Sequence, residues 1–164
     1  MHLPSIVAFA MPLKISYNRI ATGIWSGGEY VFWGWENRET PLRRIDERRF
    51  EFKLMCGTAN PYITMCAILL GAIDGLDKKL PLVAGDCQAE AANLSAEERA
   101  SLQILQKLPT SIGESLQKLR SDEVLVEGLG KPMISAYIAL TERWNKSLGE
   151  METQARENWL VSRY

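Results

Sequence analysis

The chain has 164 residues, of which 46% are hydrophobic and 24% are charged, so it is long enough for one domain with a buried core. A formal net charge of −1 excludes the overall positive field with which many proteins recruit nucleic acid. The three cysteines contain no Cys-x-x-Cys pair, which argues against a disulfide framework or a zinc site and favours a reducing, cytoplasmic location.

Neither apolar run in the sequence predicts a membrane segment. The run in MHLPSIVAFAMPLK (1–14) is interrupted by Pro4 and Pro12 and has no basic region before it, so an export signal is not expected. The run YITMCAILLGAI (62–73) is well below the ~20 residues of a bilayer span. His2 is the only histidine, which excludes a metal site built on a histidine pair within this chain.

Residues 29–55 have a strand-like pattern. EYVFWGW (29–35) is rich in β-forming residues, and apolar and charged residues alternate in RFEFKLM (49–55). Because side chains alternate between the two faces of a strand, Glu51 and Lys53 should point the same way.

The next segment predicts a helix from Asn60 to Leu76. Asn60 suits the N-cap position and Pro61 the first helical position. The helix is apolar almost all round, so we expect it at the centre of the fold, with Met65 and Cys66 buried. The few predicted strands form too small a sheet to cover such a helix, which indicates that the chain is part of a larger structure. Other side chains expected in core or sheet packing are Trp33, Trp35, Met55, Cys56 and Cys87.

The rest of the chain predicts helices. SAEE (95–98) and SIGE (111–114) have the form of capping boxes. Asp122 suits the cap of a short helix, Pro132 the start of a longer one, and residues 150–164 continue as helix.

The expected fold is therefore α+β and forms one domain over residues 1–164. A strand-rich part, 1–57, contains a few antiparallel strands, and a helical part, 58–164, follows it.

A cluster of charged residues is the candidate for function. Arg38 and Arg43 flank a tight turn that contains Pro41, and Glu51 and Lys53 share a strand face nearby. Arginines in a rigid turn suit bidentate contacts to phosphate, and a carboxylate among them suits Mg²⁺. In the alternative interpretation, acidic neighbours neutralise the arginines on an exposed turn, and these are Glu36, Glu39, Asp46 and Glu47. Spacing alone favours this alternative.

Several sequence stretches that follow one another in a fixed order favour the phosphate- and metal-binding interpretation instead. HLPSIVAFAMPLKISYNRI, WGWENRETPLR, FEFK, GTANPYITMCAILLGAIDGL and the ending WLVSRY resemble the C-terminal part of the glutamine synthetase catalytic domain. The resemblance is closest to the glutamine-synthetase-like branch of fungi and to γ-glutamyl-polyamine ligases. It is strong from His2 to about Leu76 and weaker through the helices to Tyr164.

The resemblance implies a role for five residues. Arg19, in SYNR, corresponds to an arginine that grips the carboxylate of substrate glutamate, and Lys53 takes the place of a second such arginine. Arg38 corresponds to the catalytic arginine that stabilises the phosphate in transit and contacts both ATP and glutamate. Arg43 corresponds to an arginine that holds ATP phosphate, and Glu51 corresponds to a carboxylate ligand of the metal.

The activity implied by the resemblance is that of an ATP-dependent ligase. Glutamate is activated as γ-glutamyl phosphate, with ATP and Mg²⁺ or Mn²⁺ as cofactors, and ammonia or another amine then displaces the phosphate. Family members assemble as homo-oligomeric rings with active sites between neighbouring subunits. No nucleic-acid or membrane partner is expected.

Three departures from the family pattern limit this implication. Lys53 stands where the family usually has an arginine, so an ammonium point charge replaces a guanidinium that can form two hydrogen bonds to one carboxylate. The loop IATGIWSGGEY (20–30) has Trp25 where glutamine synthetases carry a glutamate of the ammonium site, which argues against ammonia as the acceptor and leaves a larger amine, or none, open. The family's N-terminal β-grasp domain, upstream metal-binding glutamates and histidine motif are not found in these residues, so we do not expect the isolated chain to be catalytic. The alternative function is that of a truncated, non-catalytic paralogue acting as a regulatory or interaction module.

Overall fold

The computed structural model describes residues 1–163, and Tyr164, the end of the predicted last helix, lies outside them. The helices are α1 (Leu3–Ala10), α2 (Pro61–Asp77), α3 (Ala96–Ser101), α4 (Ile112–Arg120), α5 (Glu123–Leu129), α6 (Lys131–Glu150) and α7 (Thr153–Arg163). The strands are β1 (Trp33–Trp35), β2 (Leu42–Arg44) and β3 (Phe50–Phe52), and 3-10 helices cover Lys14–Arg19 and Ala91–Asn93. The expected α+β class, with a small sheet followed by helices, is confirmed.

The three strands form one sheet in the order β1-β2-β3. β2 and β3 pair antiparallel, as expected, whereas β1 pairs with β2 in parallel. A further segment crosses β1 so closely that only glycine fits at Gly34, because a Cβ there would lie 2.1 Å from the Cys87 carbonyl oxygen. Trp33 is half-buried, but Trp35 is 37% exposed and packs against Arg44 instead of the core.

Side-chain caps begin the helices where the sequence predicts them. The Asn60 side chain accepts two backbone N–H bonds at the start of α2, and Ser95 forms the predicted capping box of α3. The second predicted box is half formed: Ser111 caps α4, but the Glu114 carboxylate accepts from the N–H of Thr110. Within residues 1–163 no single helix has the length and apolar composition of a membrane span. Only α5 and α6 taken together are long and apolar enough, and a bend of 104° separates these two helices.

The sequence pattern does not predict α1, the most deeply buried helix of the molecule. Pro4 to Ala10 are all buried, and the helix packs against α2 and α4. An apolar helix that is enclosed on every side shows no amphipathic period, so its sequence gives no helical signal.

The carbonyl groups at the end of α1 are bonded by three other segments. The carbonyl oxygens of residues 8–10 accept, in that order, from the Tyr137 hydroxyl of α6 (2.8 Å), the Thr64 hydroxyl of α2 (3.2 Å) and the backbone N–H of Cys56 (3.0 Å). A helix end leaves such carbonyls without a partner inside the helix. These bonds therefore fix α2, α6 and the segment after β3 to a common point.

The prediction that α2 lies at the centre of the fold is wrong. One side packs against α1 and α5, and only Thr64 and Ala67 are buried. The opposite side exposes an apolar stripe, here named the α2 stripe, formed by Tyr62, Met65, Cys66, Leu69, Ile73 and Leu76. Met65 and Cys66 are thus exposed, although the other two cysteines are buried as expected. Composition shows that a helix is apolar but not how many of its sides have a partner.

His2 joins the start of α1 to α2 and α5. Its Nδ1 lies 2.9 and 3.0 Å from the two Asp122 carboxylate oxygens, and its Nε2 lies 3.1 Å from Asp74. Asp122 also caps α5, as predicted, by accepting from the N–H of Leu125. Hydrogen bonds from Lys78 first, and then from His2, hold the pKa of Asp74 below its usual range.

Removing the Tyr137 hydroxyl tests the bonds at the end of α1. Burial raises the pKa of Tyr137 to about 12, so the hydroxyl keeps its proton at neutral pH. Tyr137→Phe leaves a buried carbonyl without its donor, and we expect the free energy of unfolding to fall by about 1–3 kcal/mol in denaturant titrations. Tyr62→Phe, at a side chain that is 81% exposed, is the control and should change it by less than about 0.5 kcal/mol. Equal losses in the two variants would contradict the role given to Tyr137.

Asp74→Asn should reduce the dependence of stability on acid. A carboxylate with a lowered pKa in the folded state stabilises the fold above its unfolded-state pKa, and this contribution disappears as the pH falls through the folded-state pKa. The stability difference between wild type and Asp74→Asn should therefore be largest near neutral pH and shrink below about pH 4. Denaturant titrations across this range measure it. The exposed Asp77→Asn should track the wild type, and a difference for Asp74→Asn that does not change with pH would refute the assignment.

Candidate functional site

Arg43 and Glu51 stand directly opposite each other in the β2–β3 ladder. Opposite residues of an antiparallel pair lie on the same face of the sheet. Arg43 Nη1 donates to Glu51 Oε2 at 3.2 Å. The residues predicted to bind ATP phosphate and metal are therefore in direct contact.

Glu36 supplies a second carboxylate to Arg43. Its carboxylate accepts a hydrogen bond from Arg43 Nη2, and bonds from Glu36 and then Glu51 raise the pKa of Arg43. The φ of Glu36 is +53°, a left-handed conformation that costs free energy for a residue with a side chain. Arg43 Nε is buried and has no partner within residues 1–163. This N–H is thus a buried donor without an acceptor, while one N–H of each Nη group is held by a carboxylate.

Arg19 and Lys53 lie next to this pair. Arg19 ends the first 3-10 helix, and its guanidinium donates to the backbone carbonyls of Lys53 (3.2 Å) and Met55 (3.1 Å). The N–H of Lys53 donates to the Pro41 carbonyl at 3.0 Å, which extends the β2–β3 ladder by one residue pair. If the alternation of β3 continues to Lys53, one residue beyond the end of the strand, its side chain shares the face of Glu51.

Arg38 belongs to the turn between β1 and β2 and is exposed. Its guanidinium carbon lies 5.6 Å from the ring centroid of Trp25, within the range of a cation–π contact. Arg38 forms no ion pair with a carboxylate of residues 1–163. Trp25 is itself 58% exposed and has a φ of +54°. The two non-glycine residues of this region with a positive φ, Glu36 and Trp25, thus each contact a predicted site arginine.

Glu39 has a role that sequence reasoning missed. The neutralisation alternative places it on an exposed turn, but it is only 3% exposed. Its carboxylate accepts from the backbone N–H groups of Gly23 (2.8 Å) and Trp25 (3.0 Å) and so anchors the loop of residues 20–30. No local signal marks this role, because the bonded groups lie 16 and 14 residues earlier in the chain.

One side-chain pair and one bond to the backbone bring four of the five predicted site residues into one array. Arg19 bonds the backbone at Lys53, Lys53 follows Glu51 on the same strand face, and Glu51 bonds Arg43. Arg38 joins this array through the turn and Trp25, and it makes no direct bond to the other four in the part of the chain that the structure describes. The array stands on an open surface, and none of the five lines either of the two cavities of about 330 Å³.

The donor set suits an anion better than a metal ion. Arginine and lysine side chains supply only donors, which phosphate and carboxylate oxygens accept. Among residues 1–163, no three His, Cys, Asp or Glu side chains are arranged to hold a metal ion. Divalent cations need a larger oxygen set than Glu51 provides. These residues alone therefore do not fit a complete magnesium site.

A family comparison agrees with the resemblance that the order of the motifs indicated. The model described as glutamine synthetase, catalytic domain, matches residues 1–162. The chain belongs to this family. The resemblance inferred from the motifs is confirmed, and glutamine synthetases are ligases.

Relatives in this family include proteins with different names. Protein fluG of Emericella nidulans is 42% identical over 163 residues, which cover 99% of this chain and 19% of that protein. The γ-glutamylpolyamine synthetase GlnA3 of Streptomyces coelicolor is 31% identical over 147 residues, covering 85% of this chain and 31% of that protein. A glutamine synthetase of Pyrococcus woesei is 28% identical, with 99% and 39% covered. The chain therefore spans less than half the length of these relatives.

Solved structures share the fold. A GmaS complex with ADP has a TM-score of 0.75 at 24% identity and covers 98% of this chain and 37% of that chain. GmaS without ligand has a TM-score of 0.72 at 26% identity, with 97% and 35% covered. These likenesses confirm the fold as part of a glutamine synthetase-type catalytic domain.

Glu39→Ala should release the loop of residues 20–30. The change leaves two N–H groups without their charged acceptor and should lower the free energy of unfolding by about 1–3 kcal/mol. Amide hydrogen exchange at Gly23 and Trp25 should become faster, which measures the loop itself. Glu47→Ala, at an exposed residue of the next turn, is the control. Unchanged exchange at Gly23 and Trp25 would show that Glu39 does not anchor the loop.

Proposed function

We propose that this chain forms the phosphate- and glutamate-binding part of an ATP-dependent ligase, which activates glutamate as γ-glutamyl phosphate and lets an amine displace the phosphate. The observation that carries the proposal is the array of Arg19, Lys53, Glu51 and Arg43, with Arg38 on the adjoining turn, in a chain of the glutamine synthetase family. The same family relationship supports a homo-oligomeric ring and a cytoplasmic location.

The arginines would act on phosphate. Phosphoryl transfer spreads negative charge over the transferred group, and fixed cations stabilise that charge. Arg38 suits this catalytic role because it is exposed and pairs with no carboxylate of residues 1–163. Arg43 would hold an ATP phosphate through its Nη groups, and the phosphate would compete with Glu36 for Nη2.

Arg19 and Lys53 would bind the carboxylate of glutamate. The two bonds of Arg19 to backbone carbonyls fix the plane of its guanidinium, so little side-chain freedom is lost when a carboxylate arrives. Lys53 adds a point charge on the adjacent strand face.

Glu51 would contribute one ligand to Mg²⁺ or Mn²⁺. The remaining ligands would come from phosphate, water or protein groups other than residues 1–163. A metal ion bound there neutralises phosphate charge. The bond between Glu51 and Arg43 keeps this carboxylate oriented towards the phosphate-binding arginine.

Trp25 supports an acceptor larger than ammonia. Its exposed ring stands beside Arg38, where the amine would attack the γ-glutamyl phosphate in this proposal. The neighbouring Glu39 is not available to an ammonium ion, because both of its carboxylate oxygens are held by the loop backbone.

A second candidate function is that of a non-catalytic interaction module. The α2 stripe favours it, because exposed apolar patches of this kind mark contact surfaces. The bonds of Glu36 and Glu51 to Arg43 also neutralise an arginine that a ligase would use for phosphate.

In the complete ligase of which this chain would form a part, Arg38→Ala should reduce turnover far more than ATP affinity. We expect kcat to fall by about 10²- to 10³-fold in γ-glutamyl hydroxamate formation with ATP, glutamate, hydroxylamine and Mg²⁺. The Kd of ATP, measured by calorimetry, should change by less than about threefold, because the lost interaction belongs to the transition state. Arg48→Ala, at an exposed arginine of the next turn, is the matched control.

The same assays separate the two candidate functions. Small and equal losses of kcat and ATP affinity in Arg38→Ala would count against its catalytic role. A complete wild-type protein that forms no hydroxamate and binds no ATP would favour the interaction module.

A further inference from the structure

A cavity of about 330 Å³ lies where the first 3-10 helix meets the end of α6 and the helix α7. Each side contributes a leucine to its apolar wall: Leu13, Leu148 and Leu160. The volume is at the lower end of the ~300–1,000 Å³ of small-molecule sites. None of the five residues of the proposed ligase site lines this cavity, so a ligand here would occupy a separate site.

Two cations line the cavity and no acidic side chain does. Lys14 is exposed and Arg156 is half-buried. Neither forms an ion pair with a carboxylate of residues 1–163. Cations beside a low-dielectric wall in a concave site attract an anion more strongly than cations on a flat surface, because water screens them less.

Asn145 orders the rim of the cavity. Its Oδ1 accepts from the backbone N–H of Lys14 at 2.7 Å, and its Nδ2 donates to the carbonyls of Pro12 (2.8 Å) and Thr141 (2.9 Å). These bonds attach the segment that carries Lys14 to α6. The cavity is therefore formed before a ligand binds, which reduces the entropy lost on binding.

We propose that this cavity binds a small acidic molecule with a short apolar body, such as an aliphatic carboxylate. The carboxylate group accepts charge-assisted hydrogen bonds from Lys14 and Arg156. The apolar body packs against the leucines, and burial of its surface adds to the affinity. The site is independent of the proposed ligase activity.

Calorimetric titration of the wild-type chain with hexanoate tests the ligand class. Hexanol has a similar body without the charge, and acetate has the charge without the body. We expect hexanoate to bind at least about tenfold more tightly than either probe, because it alone uses both parts of the cavity. No binding of hexanoate, or equally tight binding of hexanol, overturns the proposal.

Charge substitutions locate the binding site. The double variant Lys14→Gln/Arg156→Gln should weaken hexanoate binding at least about tenfold. The double variant Lys146→Gln/Arg143→Gln removes the same two charge types from exposed positions of α6 that do not line the cavity, and it should bind as the wild type does.

Gly149 allows the cavity to be filled without disturbing the fold. It lines the cavity, and open space surrounds the position of a Cβ there. Gly149→Leu should abolish hexanoate binding. Leucine favours helix more than glycine does, so the midpoint of thermal unfolding should stay at or above that of the wild type and show that the variant is folded. Hexanoate affinity that survives either Gly149→Leu or the Lys14/Arg156 double substitution overturns the proposal.

Discussion

Hydrogen bonds at the end of the buried helix α1 fix three other segments of the molecule in position. α1 presents the carbonyl oxygens of residues 8–10 to α6, to α2 and to the segment after β3, and each of the three supplies one donor. A buried carbonyl without a partner is costly, so each of these segments is fixed in position as well as in orientation. The bond to Cys56 is the most consequential for function, because it positions the chain immediately after Lys53. The candidate site is therefore built outward from the core by way of α1.

At the candidate site, the positive charge of one arginine is already balanced by acidic side chains. Arg43 is held by two carboxylates, and the backbone of one of them, Glu36, adopts a conformation that costs free energy. Strain of this kind persists only where the surrounding structure enforces it, and it concentrates at functional positions. Arg38, by contrast, is matched with an aromatic ring, which leaves its charge available to an anion. One cluster thus contains an arginine paired with two carboxylates and an arginine that contacts an aromatic ring.

Local signals made much of this fold predictable from sequence. The caps at Asn60, Ser95 and Asp122 and the alternation around Glu51 depend on residues a few positions apart, and the structure has them where the pattern placed them. Tertiary context decided the rest. α1 is enclosed and therefore has no periodicity, whereas α2 is apolar all round yet covered on one side only.

The distinction between local sequence signals and tertiary context also applies to the candidate site. The pairing of Arg43 with Glu51 follows from strand register, so the sequence pattern could anticipate that they share a face. The attachment of Glu39 to the loop and of Arg19 to the backbone joins distant segments through side-chain-to-backbone bonds. No spacing rule encodes such bonds, and only the fold reveals them.

The exposed α2 stripe allows the stability of this chain to depend on the concentration of a surface that covers the stripe. Large exposed apolar side chains along one helix lower the free energy of any state in which they are covered. A covering surface that binds only the folded chain adds to stability by mass action. In the presence of such a surface the melting temperature would rise with its concentration, whereas a sample without it would report the uncovered fold alone.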